Sequence, residues 1–359
     1  MLNRYYYDNL STQEQRIYSL VETALRSRRS SVTFGVMSHD RIEAVWKAVA
    51  LDHPEIVSFA GLFLSYSTTD SQCELFLEYC NIDEELYNTK ISEIEEDISK
   101  EITRNDSDWT VCKKIYAYLA KSITYEYDLL DQYIRLQAQR SQSNNFGIFK
   151  DSEFEQFYRE NAIAFTAYGV AVNKRGVCMG IAKLYKILCD YFEVECACLY
   201  AKAKQFNEHG GEDEIEHMLN VVELDRTHRG YVDVTYGLID KNIPIVKYNC
   251  FVESNRVAEN LYSLETNFKC DEDENSYLHK HALVFFTAFD LRAYLEGYSY
   301  ESSNGEIRFR YEGKQLKDAE IREIFQNSIK KHCIRNMHMP YTFVDHGYGC
   351  GLISENLED

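Results

Sequence analysis

Proline is nearly missing from this chain, with three residues (Pro54, Pro244, Pro340) among 359. That scarcity excludes a Pro-rich linker architecture and a collagen-like one. Positive charge is also short: 39 Lys and Arg stand against 58 Asp and Glu, a formal net charge of −19. Such an acidic chain repels phosphate backbones and anionic lipid, which argues against nucleic-acid or membrane-surface partners. The nearest thing to a basic patch is Arg26, Arg28 and Arg29, which read as the cationic end of a helix. The longest apolar runs, near 59–64 and 282–289, fall far short of the ~20 residues that span a bilayer. Residues 1–8 lack the apolar segment of a signal peptide. There is no GxGxxG, no GxxxxGK[ST] and no Asp-x-Asp-x-Asp-Gly calcium loop. Nucleotide binding and calcium activation therefore have no support in sequence. No internal repeat is present.

What is present is aromatic and thiol-rich. The 28 tyrosines and 19 phenylalanines argue against disorder, and a 45% hydrophobic content is ample for a sizeable core. The length suits two domains or one large core with insertions. Eleven cysteines, an odd number without a secretion signal, point to reduced thiols and a cytoplasmic setting. Most of them should be small buried hydrophobes.

Ser11 and Glu14 form a capping-box pattern ahead of Ile17, Leu20, Val21, Ala24 and Leu25, so a helix is expected over about 12–28. A second is expected over 41–51, ending before Pro54. The stretch 56–66 reads as a strand. Two more helices follow, one marked by Ile91, Ile94, Ile98 and Ile102 and one over 109–123. Residues 126–160 are polar and read as an insertion of helix and exposed loop, whose relation to any site the sequence leaves open. A loop over 168–176 leads to a helix over 178–192 and a strand over 194–203. The acidic stretch 204–216 reads as an exposed loop or a lid. Strands over 215–224 and 230–236 pair across a turn at 225–229. Further on, a helix is expected at 318–331 and strands at 306–311 and 341–344. The order is α+β rather than a βαβ alternation. It divides into a helical region 1–125, the insertion 126–160, a core 161–245 and a mixed region 246–359.

Three places carry chemistry together. Cys178 stands where a loop becomes a helix, and free N–H groups and the helix dipole there favour a thiolate. Its own N–H would face an oxyanion at an attacked carbonyl. Gly176 and Gly180 leave room for a substrate. His217 lies in one strand of the hairpin and Asp233 in the next. A turn centred near Asp225 sets them opposite, and one nearer Thr227 offsets them; the sequence does not choose. If they meet, Asp233 orients the imidazole and the imidazolium pairs with the thiolate. Cys196 and Cys198 share a strand face, where packing is a better account than metal binding. His332, Cys333, His338, His346 and Cys350 follow no zinc spacing. Neither a metal nor another cofactor is expected. A thiol redox sensor at Cys178 would need a resolving cysteine within a few residues, and there is none.

In this order, cysteine at a helix start, histidine in a strand and aspartate in the next, the chain resembles the transglutaminase-like superfamily of bacterial type, relatives of papain-type cysteine peptidases. Tyr168-Gly169 is similar to the family's Ala-Tyr-Gly approach to the nucleophile. His217-Met218-Leu219-Asn220 is similar to its His-Ala-Trp-Asn strand, and Val232-Asp233-Val234-Thr235 to its Val-Asp-Val-Thr strand. The likeness covers about 161–237, with weaker traces at 39–66 and 275–326. It implies a nucleophile helix packed on an antiparallel sheet and a Cys178–His217–Asp233 triad, with Tyr168 and Asn220 beside substrate or oxyanion. It further implies a peptidase or amidase that forms a thioester with a peptide or protein amide. Met218 and Leu219 replace the family's tryptophan, and Thr235-Tyr236-Gly237 replaces Thr-Trp-Asp. These departures favour water over an amine as acceptor. The alternatives are a protein-glutamine transglutaminase and a non-catalytic binding module.

Overall fold

A short helix α1 (Tyr5–Asp8) leads into α2 (Thr12–Arg26). Helix α2 starts where the capping pattern puts it: Ser11 Oγ accepts the Glu14 N–H, and the Glu14 carboxylate accepts the Ser11 N–H at 2.8 Å. Such a cap contributes about 1 kcal/mol. Strand β1 (Ser31–Gly35), helix α3 (His39–Asp52) and strands β2 (Ser65–Thr68) and β3 (Gln72–Phe76) follow. The strands form an antiparallel sheet ordered β1-β3-β2, which shares one apolar core with α2 and α3. Buried Asp52 ends α3, accepting the N–H groups of Tyr6 and Tyr7 and the Tyr18 hydroxyl. Burial pushes its carboxyl up to about 6. The computed structural model describes residues 2–62, 64–142, 152–206, 212–239, 246, 248, 250–265, 268–297, 306–313, 320, 323–324, 341–344 and 348–354.

Of the described residues in the expected strand over 56–66, only Ser65 and Tyr66 are strand, at the start of β2. Ile56, Val57, Phe59 and Ala60 are buried, but successive turns (Ile56 N to His53 O, Phe59 N to Ile56 O) satisfy the backbone instead of a partner strand. A short apolar run reports burial, not conformation.

Helices α4 (Glu84–Ser99) and α5 (Asp108–Ser122) are capped by Asp83 and Ser107. Strand β4 (Thr124–Tyr125) comes next, then helices α6 (Tyr127–Gln142), α7 (Ser152–Asn161) and α8 (Ala167–Asn173), strand β5 (Arg175–Gly176) and helix α9 (Cys178–Tyr191). Most of the expected loop 168–176 is therefore helix. Thr166 caps α8, and Lys174 closes it in the left-handed region at φ 56°. Seven residues are too few for a helix to stand alone. Ala167, Val170 and Ala171 are fully buried, so packing holds it.

Strands β6 (Cys196–Phe206), β7 (Glu212–Leu224) and β8 (His228–Val232) form a meander. Helix α10 (Val234–Gly237), strand β9 (Phe251–Glu253), helix α11 (Asn255–Leu261) and strand β10 (Tyr262–Leu264) complete a five-stranded sheet ordered β10-β6-β7-β8-β9. Every neighbouring pair in it is antiparallel. Strand β8 stops at Val232, earlier than the expected 236. The main core joins α4, α5, α8 and α9 to one face of this sheet, and a second apolar cluster covers the other.

Helix α12 (Tyr277–Lys280), strand β11 (Val284–Phe285), helix α13 (Ala288–Gly297) and strands β12 (Glu306–Tyr311), β13 (Tyr341–Val344) and β14 (Tyr348–Ser354) close the chain. Strands β12 and β13 have the bounds read from sequence. The helix expected at 318–331 lies largely outside the described residues, as do His332, Cys333, His338 and His346. Among the described residues, no helix is long and apolar enough to cross a membrane, and the cysteines named there are free thiols.

Candidate active site

Cys178 is the first residue of α9. Val177 before it is extended, donates its N–H to Ala164 O at 3.2 Å and offers no side-chain cap. The first N–H groups of the helix are therefore without intrahelical acceptors beside the thiol. The approach is fixed from outside: β4 and β5 pair in parallel, Thr124 with Arg175 and Tyr125 with Gly176. The thiol is partly exposed.

The hairpin register pairs Asn220 with Val232. Continued, it would set Asp233 against Leu219, not His217. The ladder stops instead. Asp233 donates its N–H to Cys250 O at 2.9 Å and caps α10, its Oδ1 accepting the Thr235 N–H at 2.9 Å. Its Oδ2 then meets His217 Nε2 at 2.6 Å. The carboxylate is almost wholly buried. Burial alone would raise it, but His217, Tyr262 and the Thr235 N–H together hold it below the usual carboxylate range. Burial pushes His217 down, while the charges of Asp233 and Cys178 and the hydrogen bond to Asp233 carry it well above an ordinary histidine. His217 and Asp233 are thus joined by a hydrogen bond, and the Cys178 sulfur lies near enough for its charge to act on the ring. His217 holds the carboxylate through Nε2.

Sequence reasoning missed the tyrosines. Tyr262 donates to Asp233 Oδ2 at 2.7 Å and stacks on His217, with ring centroids 5.6 Å apart and planes 8° from parallel. Tyr125, on β4, is raised by burial and also by the neighbouring charge of Cys178. Tyr133 of α6 and Tyr158 of α7 are raised chiefly by burial and also by the charges of Glu216 and Cys178, Tyr158 to about 12. These two tyrosines bring parts of the segment 126–160 near enough to Cys178 for its charge to act on them. Two parallel pairs joining Thr124-Tyr125 to Arg175-Gly176 are too short a strand for any periodicity to announce.

Four other residues singled out from sequence have different surroundings. Tyr168 turns to α4, where its hydroxyl accepts the Asp83 N–H at 3.4 Å and its ring tilts against Tyr87. Asn220 is buried and donates to Ala182 O of α9 at 3.0 Å, so it ties sheet to helix. The glycines make room for protein rather than substrate. A Cβ at Gly176 would stand 2.5 Å from Val170 Cγ2, and one at Gly180 would stand 2.7 Å from Ala164 O. Cys196 and Cys198 are fully buried, and no group of three His, Cys, Asp or Glu among the described residues could hold a metal.

No family model matches this chain, and neither does any curated protein. Two solved structures are similar in part. One is a transglutaminase (TGase), 13% identical, covering 59% of this chain and 52% of its own, with a TM-score of 0.31. The other is a protein from Cytophaga hutchinsonii provisionally described as a cysteine protease, 10% identical, covering 53% and 64%, with a TM-score of 0.25. This chain spans less than two thirds of either. Both are of the kind the sequence motifs resemble, but likeness this slight carries no functional weight, which falls on the site's own geometry.

Proposed function

We propose that this chain is a cysteine-dependent acyl-transfer enzyme that hydrolyses amide bonds of peptides or proteins through a thioester on Cys178. The observation that carries the reading is His217, hydrogen-bonded to buried Asp233 and near enough to the Cys178 sulfur for that charge to act on the ring. A neutral thiol is a poor nucleophile, and the raised imidazole favours the thiolate–imidazolium pair. The Cys178 sulfur attacks the carbonyl carbon, and the S–C bond forms as the oxygen becomes an oxyanion. The Cys178 N–H faces that oxygen. The Tyr125 hydroxyl stands near Cys178 in the free protein. A phenol can donate as well as accept, so it serves as a second donor to the oxyanion. The imidazolium then protonates the leaving nitrogen as the C–N bond breaks. Water attacks the thioester, gives its proton to neutral His217 and regenerates the thiolate.

Water is favoured over an amine because Met218 and Leu219, in place of the indole, are buried in apolar clusters on opposite faces of the sheet. Neither can wall an acceptor channel.

The experiment is alkylation with limiting iodoacetamide at mildly acidic pH, mapped by peptide mass spectrometry, on the parent and on His217→Ala. Cys178 should label first, and at least about tenfold more slowly in the variant. Labelling no faster than the other cysteines would replace this reading with that of a binding module.

A further inference from the structure

We propose that Tyr262 is a fourth member of the site, a positioning residue that sets the proton affinity of His217 through Asp233. The proposal deepens the reading of His217 as the acid of the reaction. Tyr262 opens β10, two strands away from His217. It pairs with Ala203, while Ala201 is the residue opposite His217. The strand between them contributes only small side chains at these positions, which leaves space for a phenol ring to lie over it. The ring stacks almost parallel on the imidazole, and the hydroxyl reaches the same Oδ2 that accepts His217 Nε2. A stacked ring restricts imidazole rotation. A second donor on Oδ2 disperses the charge that the imidazolium feels.

The sign follows. With the hydroxyl present, Oδ2 holds the imidazolium proton less tightly, so His217 gives it more readily to a leaving nitrogen. Without it, more charge rests on His217, the imidazole holds its proton to higher pH, and acid catalysis weakens. The other groups around the pair are Cys178 on α9, Tyr125 on β4, Tyr116 on α5 (whose hydroxyl donates to Asp233 O at 3.2 Å), Tyr236 on α10, and Cys250, with Sγ 3.5 Å from the Tyr262 hydroxyl. Tyr116, Tyr125, Tyr262 and Cys250 are all raised by burial, so they stay neutral while His217 titrates.

The test follows the His217 ring by NMR of histidine-labelled protein, assigned with His217→Gln, in a Cys178→Ala background so that the thiol does not contribute. Tyr262→Phe keeps the stack and removes the donor, and should raise His217's proton affinity at least about threefold. A 3-fluorotyrosine placed at 262 keeps the fold and strengthens the donor, and should shift the titration the other way. Opposite shifts establish the role. A His217 titration unmoved in both proteins, or moved in the same direction, overturns it. Because Cys178 is absent, this result is independent of whether the parent alkylates fast. If Tyr262→Phe does not fold, the fluorotyrosine protein alone decides.

Discussion

Tyrosine is the residue this site depends on beyond its cysteine, histidine and aspartate, and Tyr125 shows why a phenol suits the place. A phenol beside the start of α9 can accept a hydrogen bond when no substrate is bound and donate one to an oxyanion when one is. Tyr125→Phe should lower the rate of amide hydrolysis by about 10²–10³, the usual loss for one oxyanion donor, yet leave iodoacetamide labelling of Cys178 within about threefold. Equal losses in both assays would show that Tyr125 only shapes the thiol. His217→Ala has the converse signature, slowing labelling and hydrolysis alike.

The start of α9 is held by close packing of backbone on backbone. Gly180 lies in the first turn of α9, against the carbonyls of Ala164 and Thr166. Gly180→Ala would gain up to ~1 kcal/mol of helix propensity. It would also force a Cβ to within 2.7 Å of a backbone oxygen that cannot move alone. Overpacking of this kind costs about 1–3 kcal/mol and wins. The variant should be less stable to urea, and Cys178 labelling should slow because the Val177–Ala164 bond shifts with it. Helix α9 is also buried more fully than its apolar stripe suggests. Lys183 and Lys186 are both buried, Lys183 donating to Ala60 O at 2.7 Å and Lys186 pairing with Asp190 at 3.0 Å. Burial brings Lys183 down to about 8.

Across the molecule, a C-terminal sheet ordered β11-β12-β14-β13 is joined to the sheet that carries the site by an ion pair buried on both sides. Arg310 of β12 gives two parallel bonds to Glu253 of β9, at 2.8 and 2.6 Å, both side chains 2% exposed. Truncating one partner of such a pair costs about 3–5 kcal/mol, whereas replacing both by apolar residues is often close to neutral. Glu253→Ala should therefore destabilise the protein by about 3 kcal/mol in urea unfolding, and Glu253→Met with Arg310→Met should recover most of it. If the double replacement were as unstable as the single one, the pair would be positioning the sheets rather than merely balancing charge. Strand β9 neighbours Cys250, whose carbonyl accepts Asp233 N–H, so the single variant should also slow Cys178 labelling.

The long helices were legible because capping residues and apolar spacing repeat over several turns: Ser11 with Glu14, the isoleucines of α4, and the stripe of α9. So were Cys178, His217 and Asp233 as residue types in a telling order. The meeting of His217 with Asp233 was not. It depends on a hairpin register off by two residues from direct opposition, corrected where Asp233 leaves the ladder to cap α10. Helix α8 and the turns over 56–60 were also hidden, because burial rather than local propensity decides them. Tyr125, Tyr133, Tyr158 and Tyr262 come from four separate elements, and among 28 tyrosines nothing local marks them. Sequence by itself determined the local elements and the chemical types that could react, since those follow from propensity and side-chain chemistry. Only the tertiary structure decided which groups share a proton, because hydrogen bonds between distant strands depend on register and packing.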